Sequence, residues 1–355
     1  MERKQFSIHL LKWYNKNKRN LPWRNTDDPY AIWVSEIIMQ QTRVAQGIDY
    51  YQKFLTNYHD IFAFAAAPED EVMKLWQGLG YYSRARNMMH TAREIVIKYK
   101  GVFPSNYHDL LKLKGIGEYT AAAIASISFN EPVPVIDGNV LRVFARYFGI
   151  KESIDKPAVR KLMRFELELL IDKKKPAEFN QAMMELGAIC CTPRLPACER
   201  CPLLTGCYAA ANKMQPELPI KKTKTTARKR FFHYIMLKSG NNYLIHKRNG
   251  KDIWEALYEF PLIETAKNIS PSALLGMKEL IDITGQGKID ILNVSGPYTH
   301  KLSHQTILAY FYHLQLKSGY KKLEKEFISV SRESIPEYAF PVLIGKYLKE
   351  NDFYL

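Results

Sequence analysis

The chain has 355 residues, of which 46% are apolar and 25% charged, a composition that suits about two globular domains and excludes disorder or a fibre. No stretch approaches the roughly 18 uncharged apolar residues of a membrane span, and the charged N-terminus lacks the pattern of a secretory signal. Lysine and arginine number 51 against 36 acids, and the net charge of +15 favours a polyanion such as nucleic acid, although it also suits a basic protein without such a partner.

Apolar periodicity predicts helices through the first two thirds of the chain. Asp28 and Pro29 predict an N-cap and a first helical residue, followed by a helix from Ala31 to Met39. No strand is predicted before residue 230. Further helices are predicted near residues 48–57, 70–76, 84–98, 107–113, 119–128, 139–147, 157–171 and 178–189.

The predicted secondary structure changes from helices to strands after a basic segment from Lys221 to Arg230. This segment contains six positive charges and no acid, so it is either a solvated connector or a linker that lies near phosphates. Beyond it, two apolar runs flank Ser-Gly-Asn-Asn and predict a hairpin. A strand is predicted over 305–316 and a helix over 272–281. We therefore predict a helical domain over 1–215, a linker over 216–230 and an α+β domain over 231–355.

All five cysteines lie between residues 190 and 207. Such clustering is typical of metal or cluster ligation in a reducing compartment, because disulfide partners would be spread along the chain. Cys191, Cys198, Cys201 and Cys207 have the spacing C-x6-C-x2-C-x5-C, which either tetrahedral zinc or a [4Fe–4S] cluster could use. Adjacent residues of an α-helix point about 100° apart, so Cys190 and Cys191 should not both bind one site.

Two glycine turns are candidates for nucleic-acid contacts. Gly115 and Gly117 lie between two predicted helices, where backbone N–H groups could hold a phosphate, although such a turn is more often only a connection. A second turn, 78–80, leads into Tyr81, Tyr82 and nearby arginines. Exposed aromatic side chains beside arginines suit nucleic acid, while one of the two tyrosines could equally pack in the core.

Two carboxylates lie in contrasting sequence environments. Glu36 lies inside an apolar helical run, where burial would raise its pKa, although a position on the wet side of the helix is the commoner case. Asp137 precedes a helix, and the N–H groups there favour its ionised form, although it could be a purely structural cap. A protonated and an ionised carboxyl together are what acid-assisted cleavage of a glycosidic bond needs.

These motifs, in this order, resemble the helix-hairpin-helix DNA glycosylases with an iron–sulfur cluster, and most closely the MutY-type adenine DNA glycosylases. The similarity rests on the run Trp33 to Thr42, the turn Leu113 to Ala121, the run Val135 to Val140 and the cysteine spacing. It covers about residues 5–210 strongly and the rest more loosely. The resemblance implies a mostly α helix-hairpin-helix domain with a [4Fe–4S] loop, followed by an α+β Nudix (MutT)-like domain.

The resemblance implies a monofunctional glycosylase that removes a flipped adenine paired with 8-oxoguanine, or less well with guanine, in double-stranded DNA. Glu36 would protonate adenine N7 and later assist the attacking water, and Asp137 would stabilise the oxocarbenium-like sugar. Tyr119 and Asn139 would orient this pair. The related endonuclease III type carries a lysine at position 119 and forms a Schiff base, which tyrosine cannot do. We therefore expect base removal without efficient strand cleavage.

The resemblance also implies a cofactor, a set of DNA-binding residues, a cellular location and an oligomeric state. A [4Fe–4S] cluster would be held by Cys191, Cys198, Cys201 and Cys207, with Cys190 as a bystander. The cluster itself would have a structural or redox-sensing role. We expect a cytoplasmic monomer that is nucleoid-associated if bacterial and has no membrane partner. The implied DNA-binding residues are Arg24, Gln41, Thr42, Leu79, Tyr81, Gly115, Gly117, Ser303 and His304.

The second domain supports the adenine specificity. Trp254 to Pro261 resembles the W-x5-F-P segment of the Nudix fold, but the acidic metal-binding helix of active Nudix enzymes is missing, so we expect binding without hydrolysis. The run His300 to His304 resembles the loop that senses 8-oxoguanine, with Leu302 in place of phenylalanine. Two rival functions remain, a thymine-mismatch glycosylase and a non-catalytic iron–sulfur DNA sensor.

Overall fold

A computed structural model describes residues 3–221, 227–250, 252–284, 289–302, 304–316 and 327–353. The chain forms two compact units. The first comprises Met1–Ala66 and Asn87–Thr223, and the second comprises Ala67–Arg86 and Lys224–Leu355. The domain boundaries stated above stay a prediction, and the observed units differ from them in grouping Ala67–Arg86 with the C-terminal residues. Among the described residues, no helix combines the length and the apolar character that spanning a bilayer requires.

Helices form all the regular structure before the second unit's sheet, in the part of the chain that the structure describes. The predicted helices are present, and α1, α4 and α12 are additional. In chain order the α-helices are α1 Arg3–Asn17, α2 Pro29–Met39, α3 Val44–Asn57, α4 Ile61–Ala66, α5 Glu69–Leu75, α6 Ser83–Tyr99, α7 Tyr107–Leu110, α8 Glu118–Phe129, α9 Gly138–Phe148, α10 Pro157–Leu170, α11 Pro176–Glu185 and α12 Tyr208–Ala211.

Local capping fixes the starts of the two helices that carry the candidate carboxylates. The Asp28 side chain accepts hydrogen bonds from the N–H groups of Tyr30 and Ala31, at 3.2 and 3.1 Å, so the predicted cap of α2 is confirmed. The Asp137 side chain accepts a bond from the N–H of Val140 at 2.7 Å, which confirms the predicted cap of α9. These bonds satisfy N–H groups that have no partner within the helix.

The helix predicted over 178–189 ends earlier than its apolar pattern indicates. Helix α11 stops at Glu185 and continues as a π-helical turn, Leu186–Cys190. Gly187 lies in this turn against α9, where an added Cβ would come within 2.5 Å of the Asn139 Cβ. The glycine therefore lets the backbone leading to the cysteines approach the residues that follow Asp137.

An apolar core joins α9, whose N-cap is Asp137, to α1, α10 and α11. It includes Phe6 of α1, Phe144 of α9, Met163 of α10 and Phe179 of α11, all at most 1% exposed. Helix α2 packs on α8, whose residues Thr120 to Ile127 are buried and mostly small. Small side chains permit the close approach that brings Tyr119, at the start of α8, beside α2.

The second unit contains a mixed sheet with the strand order β3-β2-β1-β6-β5, to which β4 adds beside β1 and β7 beside β2. Strands β1 and β2 form the predicted hairpin, with Lys238 opposite Tyr243, while β1 and β6 run parallel. The helices of the first unit and the mixed sheet of the second confirm the predicted combination of a mostly α domain and an α+β domain, while the [4Fe–4S] loop stays a prediction. The strands are β1 Arg228–Ser239, β2 Asn242–Lys247, β3 Tyr258–Glu259, β4 Leu262–Thr265, β5 Ile289–Lys301, β6 Gln305–Leu316 and β7 Ile328–Ser331.

Helices cover both faces of this sheet. The helix predicted over 272–281 is two short helices, α13 Pro271–Leu275 and α14 Lys278–Thr284, which pack on the face that contains Tyr312. The opposite face is covered by α15 Val342–Glu350, whose Tyr347 ring stacks on Phe311 at 3.7 Å. Both faces of β6 therefore carry buried apolar side chains, Ile307 and Phe311 on one face and Tyr312 and Leu314 on the other.

Candidate active site and cysteine cavity

The two candidate carboxylates line one cavity of about 240 Å³ in the first unit. Glu36 comes from the middle of α2 and Asp137 from the N-cap of α9, so two separate helices bring them together. Tyr119 and Asn139, which were predicted to orient the pair, also line the cavity. The predicted catalytic residues thus lie at one place, although they are up to 103 residues apart in the sequence, from 36 to 139.

Glu36 is deeply buried and holds its proton more tightly than an exposed glutamate. Its side chain is 7% exposed, and burial raises its pKa from 4.5 to about 7. The Tyr119 hydroxyl donates a hydrogen bond to Glu36 Oε2, which lowers this pKa, while the charge of Asp137 raises it. The wet-side alternative for Glu36 is therefore wrong in this structure, and the acid is available in its protonated form near neutral pH.

Asp137 is surrounded by hydrogen-bond donors and is partly buried. The Val140 N–H and the Asn139 amide each donate to it at 2.7 Å. Burial raises the pKa of Asp137, although these bonds act to lower it. The hydrogen bonds favour the ionised form of Asp137, as expected. Its pKa is nevertheless raised, because the effect of removal from water is larger than that of the hydrogen bonds.

Asn139 and Arg142 connect Asp137 to the backbone of the cysteine loop. The Arg142 guanidinium donates to Asn139 Oδ1 at 2.9 Å and to the Gly187 carbonyl at 2.7 Å. It also donates to the Cys191 carbonyl at 2.8 Å. A continuous set of hydrogen bonds therefore runs from the first cysteine of the predicted ligand set to the aspartate in the cavity.

An ion triad centred on a buried glutamate forms another wall of the cavity, and the sequence patterns did not indicate it. Glu185 of α11 is fully buried, and both of its oxygens accept hydrogen bonds from Arg19 and Arg24 at 2.6 to 3.1 Å. Burial alone would raise the pKa of Glu185, but the two arginines outweigh it and lower the pKa to about 2. Arg24, predicted as a DNA contact, thus faces the cavity as part of this triad.

All five cysteines line a second cavity, together with Arg146 and Gln215. Cys190 shares it because the π-helical turn ends at that residue and Cys191 leaves the helix with φ −85° and ψ 58°, so the α-helical argument for separating them does not apply. Arg146 donates to Cys191 Sγ at 3.3 Å and Gln215 to Cys198 Sγ at 3.7 Å. Cysteine sulfurs that accept N–H hydrogen bonds, as these two do, are among the surroundings that a [4Fe–4S] cluster uses.

Burial raises the pKa of the Cys191 thiol and of the Cys207 thiol. Thiolates at these positions therefore need a compensating positive charge, which bound metal supplies. Over the residues that the structure describes, no three His, Cys, Asp or Glu side chains are grouped so that they could hold one metal ion.

The predicted phosphate-holding turn is exposed and constrained. Gly115 has φ +78°, and a Cβ there would come within 2.6 Å of the Asn87 Cβ. Gly117 caps α8 and has open space where a Cβ would stand. The Lys114 carbonyl accepts a bond from Thr91 at 2.6 Å, which directs the carbonyl inward and leaves the outer face of the turn to solvent.

The remaining predicted DNA contacts differ in exposure. Gln41 is exposed with φ 58°, and Thr42 lines the cavity. Tyr81 is 53% exposed, whereas Leu79 is only 8% exposed. In the second unit His304 is exposed, and Ser303 lies outside the described residues. Tyr82 is buried, so one of the two adjacent tyrosines does pack in the core.

Known proteins match both units. Residues 34–168 match the family described as HhH-GPD superfamily base excision DNA repair protein, and residues 233–350 match the NUDIX domain. An adenine DNA glycosylase of Buchnera aphidicola subsp. Acyrthosiphon pisum (strain APS) is 36% identical over 302 residues, which are 84% of this chain and 83% of that protein. An adenine DNA glycosylase of Homo sapiens is 41% identical over 222 residues, which are 60% of this chain and 41% of that protein.

A solved structure extends the comparison to the arrangement of the helices. The structure of a thermostable thymine-DNA glycosylase is 32% identical to this chain and superimposes with a TM-score of 0.55. It covers 59% of this chain and 97% of its own. This match therefore concerns a little over half of the present chain, whereas the Buchnera protein matches most of it.

Proposed function

The chain belongs to the adenine DNA glycosylase family, and we propose on this premise that it hydrolyses the N-glycosidic bond of adenine paired with 8-oxoguanine, and less efficiently with guanine. The family assignment makes it a DNA N-glycosylase. The observation that carries the proposal for this chain is that Glu36 and Asp137 line a single cavity, with Glu36 able to keep its proton near neutral pH.

The first step uses the proton on Glu36. The adenine is rotated out of the duplex into the cavity, because the reacting bond is not accessible in a stacked base. Glu36 donates its proton to adenine N7, and the electron pair of the C1′–N9 bond moves to the base. The base leaves as neutral adenine, and the sugar becomes an oxocarbenium ion. Two carboxyl groups in one cavity resist double ionisation, so the group with the higher pKa keeps the proton.

The second step uses the charge on Asp137. Its carboxylate faces the positive sugar and stabilises it, either as a counter-charge or through a transient covalent bond. Water then adds to C1′ and gives its proton to the Glu36 carboxylate, which restores the acid for the next turnover. The bonds from Asn139 and Val140 hold Asp137 in place, and the Tyr119 hydroxyl stabilises Glu36 once it is ionised.

The cavity favours hydrolysis over strand cleavage. Schiff-base formation needs an amine, and the residues that line the described cavity include arginines but no lysine. Lys112 pairs with Asp109 at 2.6 Å, and Lys114 is exposed on the phosphate-holding turn. We therefore propose a monofunctional enzyme whose product is an intact strand with an abasic site.

The DNA contacts are assigned by the family resemblance and by exposure. Gly115 and Gly117 would hold phosphates through backbone N–H groups, and the basic composition would add a salt-dependent attraction. Gln41, Leu79 and Tyr81 would fill or wedge the stack around the base opposite the adenine, and Thr42 would contact the DNA. Arg24 would contact the base or sugar within the cavity. Ser303 and His304 would read the base opposite the adenine.

A [4Fe–4S] cluster is proposed on Cys191, Cys198, Cys201 and Cys207. Support comes from the shared cavity of these cysteines and from the donors to their sulfurs. When bound, the cluster would tie the loop into one rigid element. Arg142 would connect this element to Asn139, so loss of the cluster is expected to loosen the support of Asp137. An absorbance shoulder near ~400 nm with iron and sulfide present would support this cofactor, and stoichiometric zinc in their place would exclude it.

A thymine-mismatch glycosylase is the second candidate, because the thymine-DNA glycosylase structure is 32% identical to the matched part of this chain. Purified protein is incubated with A:8-oxoguanine, A:G and T:G duplexes under single-turnover conditions. We expect free adenine from the first two, and a strand that breaks only after alkali treatment. Thymine release without adenine release would favour the second candidate, and strand cleavage before alkali would contradict monofunctional chemistry.

Glu36→Gln distinguishes an enzyme from a DNA-binding sensor. This change keeps the size of the side chain but removes the transferable proton, so excision should fall by at least about a hundredfold while duplex affinity stays similar. Lys98→Gln is the control, because the Lys98 side chain is exposed and does not line the cavity. Unchanged excision by Glu36→Gln would refute the assigned role.

A further inference from the structure

The turn proposed to enter the DNA is folded into the same compact unit as the lesion-reading domain. Residues Ala67–Arg86 belong to the second unit and contain Leu79 and Tyr81. The turn has left-handed backbone at Gly78, Gly80 and Tyr81, with φ of 101°, 71° and 47°. Gly78 and Tyr81 are exposed, and since glycine has no side chain, the turn projects the aromatic ring of Tyr81. We call residues 78–82 the wedge turn.

Arg84 holds the wedge turn in shape from within. Its guanidinium donates to the carbonyls of Leu79 and Gly80 at 3.3 and 3.1 Å. It lies 5.2 Å from the Trp76 ring centroid and 5.8 Å from that of Tyr81. Trp76 donates to the Gly80 carbonyl at 3.2 Å. The turn is therefore a preformed element whose position depends on what anchors its two ends.

The N-terminal end of the wedge turn is anchored through α5. Lys247 of β2 lies between the carboxylates of Glu69 and Asp70, at 2.8 and 2.7 Å. The Tyr258 hydroxyl donates to Asp70 at 3.1 Å. Lys74, at the other end of α5, donates to the carbonyls of Pro336 and, at 3.1 Å, Tyr338. Each contact joins α5 to residues of the Nudix-like part of the same unit.

The C-terminal end is anchored by Arg86. Its guanidinium pairs with Glu255 Oε2 at 2.8 Å and also donates to the Glu255 carbonyl at 2.5 Å. The pair is partly buried, with side-chain exposures of 22% and 35%. Two bonds from one planar guanidinium fix direction as well as distance, which a lysine could not do.

Glu255 lies in a strained turn that also touches the lesion-reading hairpin. Its neighbours Trp254 and Ala256 have φ of 63° and 68°, unusual for residues with a Cβ. The Trp254 ring packs edge-on against His300, with 5.6 Å between ring centroids. His300 pairs with Ile307 across β5 and β6, and Leu302 N–H donates to the Gln305 carbonyl at 2.8 Å near the tip. The path from the wedge turn to the hairpin tip is thus contiguous.

We propose that Arg86 and Glu255 are positioning residues that couple the wedge turn to the hairpin that reads the base opposite adenine. The inference rests on the proposed function, since it assigns these roles to Tyr81 and His304. Contact of the hairpin with 8-oxoguanine fixes Trp254 and Glu255, and Arg86 carries that constraint to the wedge turn. The pair thereby contributes to the preference for 8-oxoguanine over guanine without taking part in the chemistry.

Charge reversal tests this coupling. Single-turnover excision is measured on A:8-oxoguanine and A:G duplexes for wild type, Arg86→Glu, Glu255→Arg and the double exchange. Each single variant should lower the 8-oxoguanine preference by about tenfold, mainly by slowing excision on A:8-oxoguanine, and the double exchange should restore at least half of it. Arg86→Lys keeps the positive charge but cannot make the two guanidinium hydrogen bonds to Glu255. It should lower the preference for 8-oxoguanine by less than the charge reversals do. Lys98→Glu breaks an exposed pair on the same helix and serves as the matched control.

An unchanged preference in both single variants would overturn the proposal, and so would an equal slowing on both duplexes that the double exchange does not restore. Hydrogen exchange of residues 76–83 in the free protein gives an independent readout. Exchange should become faster in Arg86→Glu and return toward wild type in the double exchange, and no change would overturn the coupling. Because this readout needs no excision, failure of the wild type to release adenine would refute the proposed function without deciding the coupling.

Discussion

The hydrogen bond from Tyr119 to Glu36 predicts how the pH profile changes when the hydroxyl is removed. The hydroxyl can donate to the ionised carboxylate, so it lowers the pKa of Glu36 while burial raises that pKa to about 7. A hydrogen bond to a charged group contributes about 1.5 kcal/mol at the lower end of its usual range, and one pKa unit corresponds to about 1.4 kcal/mol. Tyr119→Phe should therefore raise the pKa of Glu36 by about one unit.

The assay is the single-turnover excision rate on A:8-oxoguanine between about pH 6 and pH 10. Glu36 acts as an acid only while protonated, so the rate should fall roughly tenfold per pH unit above its pKa. The wild-type rate should begin to fall near pH 7, and that of Tyr119→Phe near about pH 8. Tyr30→Phe is the control, because the Tyr30 hydroxyl donates to the Tyr58 carbonyl and does not line the cavity. If the alkaline limb of Tyr119→Phe stays at the wild-type pH or moves to lower pH, the Tyr119 hydroxyl does not stabilise the ionised form of Glu36.

Three further predictions concern the support of the site. Glu185→Ala leaves two arginines without their buried partner, so the free energy of unfolding should fall by about 3 to 5 kcal/mol in denaturant titration. Asn180→Ala removes bonds to the Val135 N–H and the Val133 carbonyl, at 3.0 and 2.9 Å, so the excision rate should fall about tenfold with duplex affinity unchanged. Gly115→Ala should lower the unfolding free energy by more than about 1 kcal/mol, whereas Gly117→Ala should not.

Each of these has a contradicting result. A Glu185→Ala protein as stable as wild type would mean that the arginines are solvated without it. Equal losses of excision rate and duplex affinity in Asn180→Ala would indicate a general structural defect. For the glycine pair, equal stability of the two variants would contradict the roles assigned to the positive φ and to the close approach of Asn87 at Gly115.

The features that could be predicted from the sequence are those set by neighbouring residues. The caps at Asp28 and Asp137 depend on side chains two or three residues from the N–H groups that they satisfy. The hairpin of β1 and β2 depends on the short polar turn between two apolar runs. The convergence of Glu36 and Asp137 came from the family resemblance, because periodicity by itself favoured an exposed glutamate.

The features that could not be predicted depend on contacts between distant residues. Glu185 meets Arg19 and Arg24 across more than 160 positions, and nothing in its local sequence marks it as a buried anion. Cys190 faces the cysteine cavity because a π-helical turn replaces the last part of the predicted helix. The pKa of Asp137 moves opposite to the effect of its cap, since the degree of burial is a property of the folded chain.

The proposed chemistry requires that Glu36 is protonated near neutral pH, and this protonation state can be measured directly. An infrared difference spectrum between wild type and Glu36→Gln isolates the C=O stretch of this one protonated carboxyl group. We predict that the band is present below neutral pH and disappears with a midpoint at about pH 7. A band that is lost near the ordinary glutamate pKa of 4.5 would contradict the account, because Glu36 would then have no proton to donate under the conditions of repair.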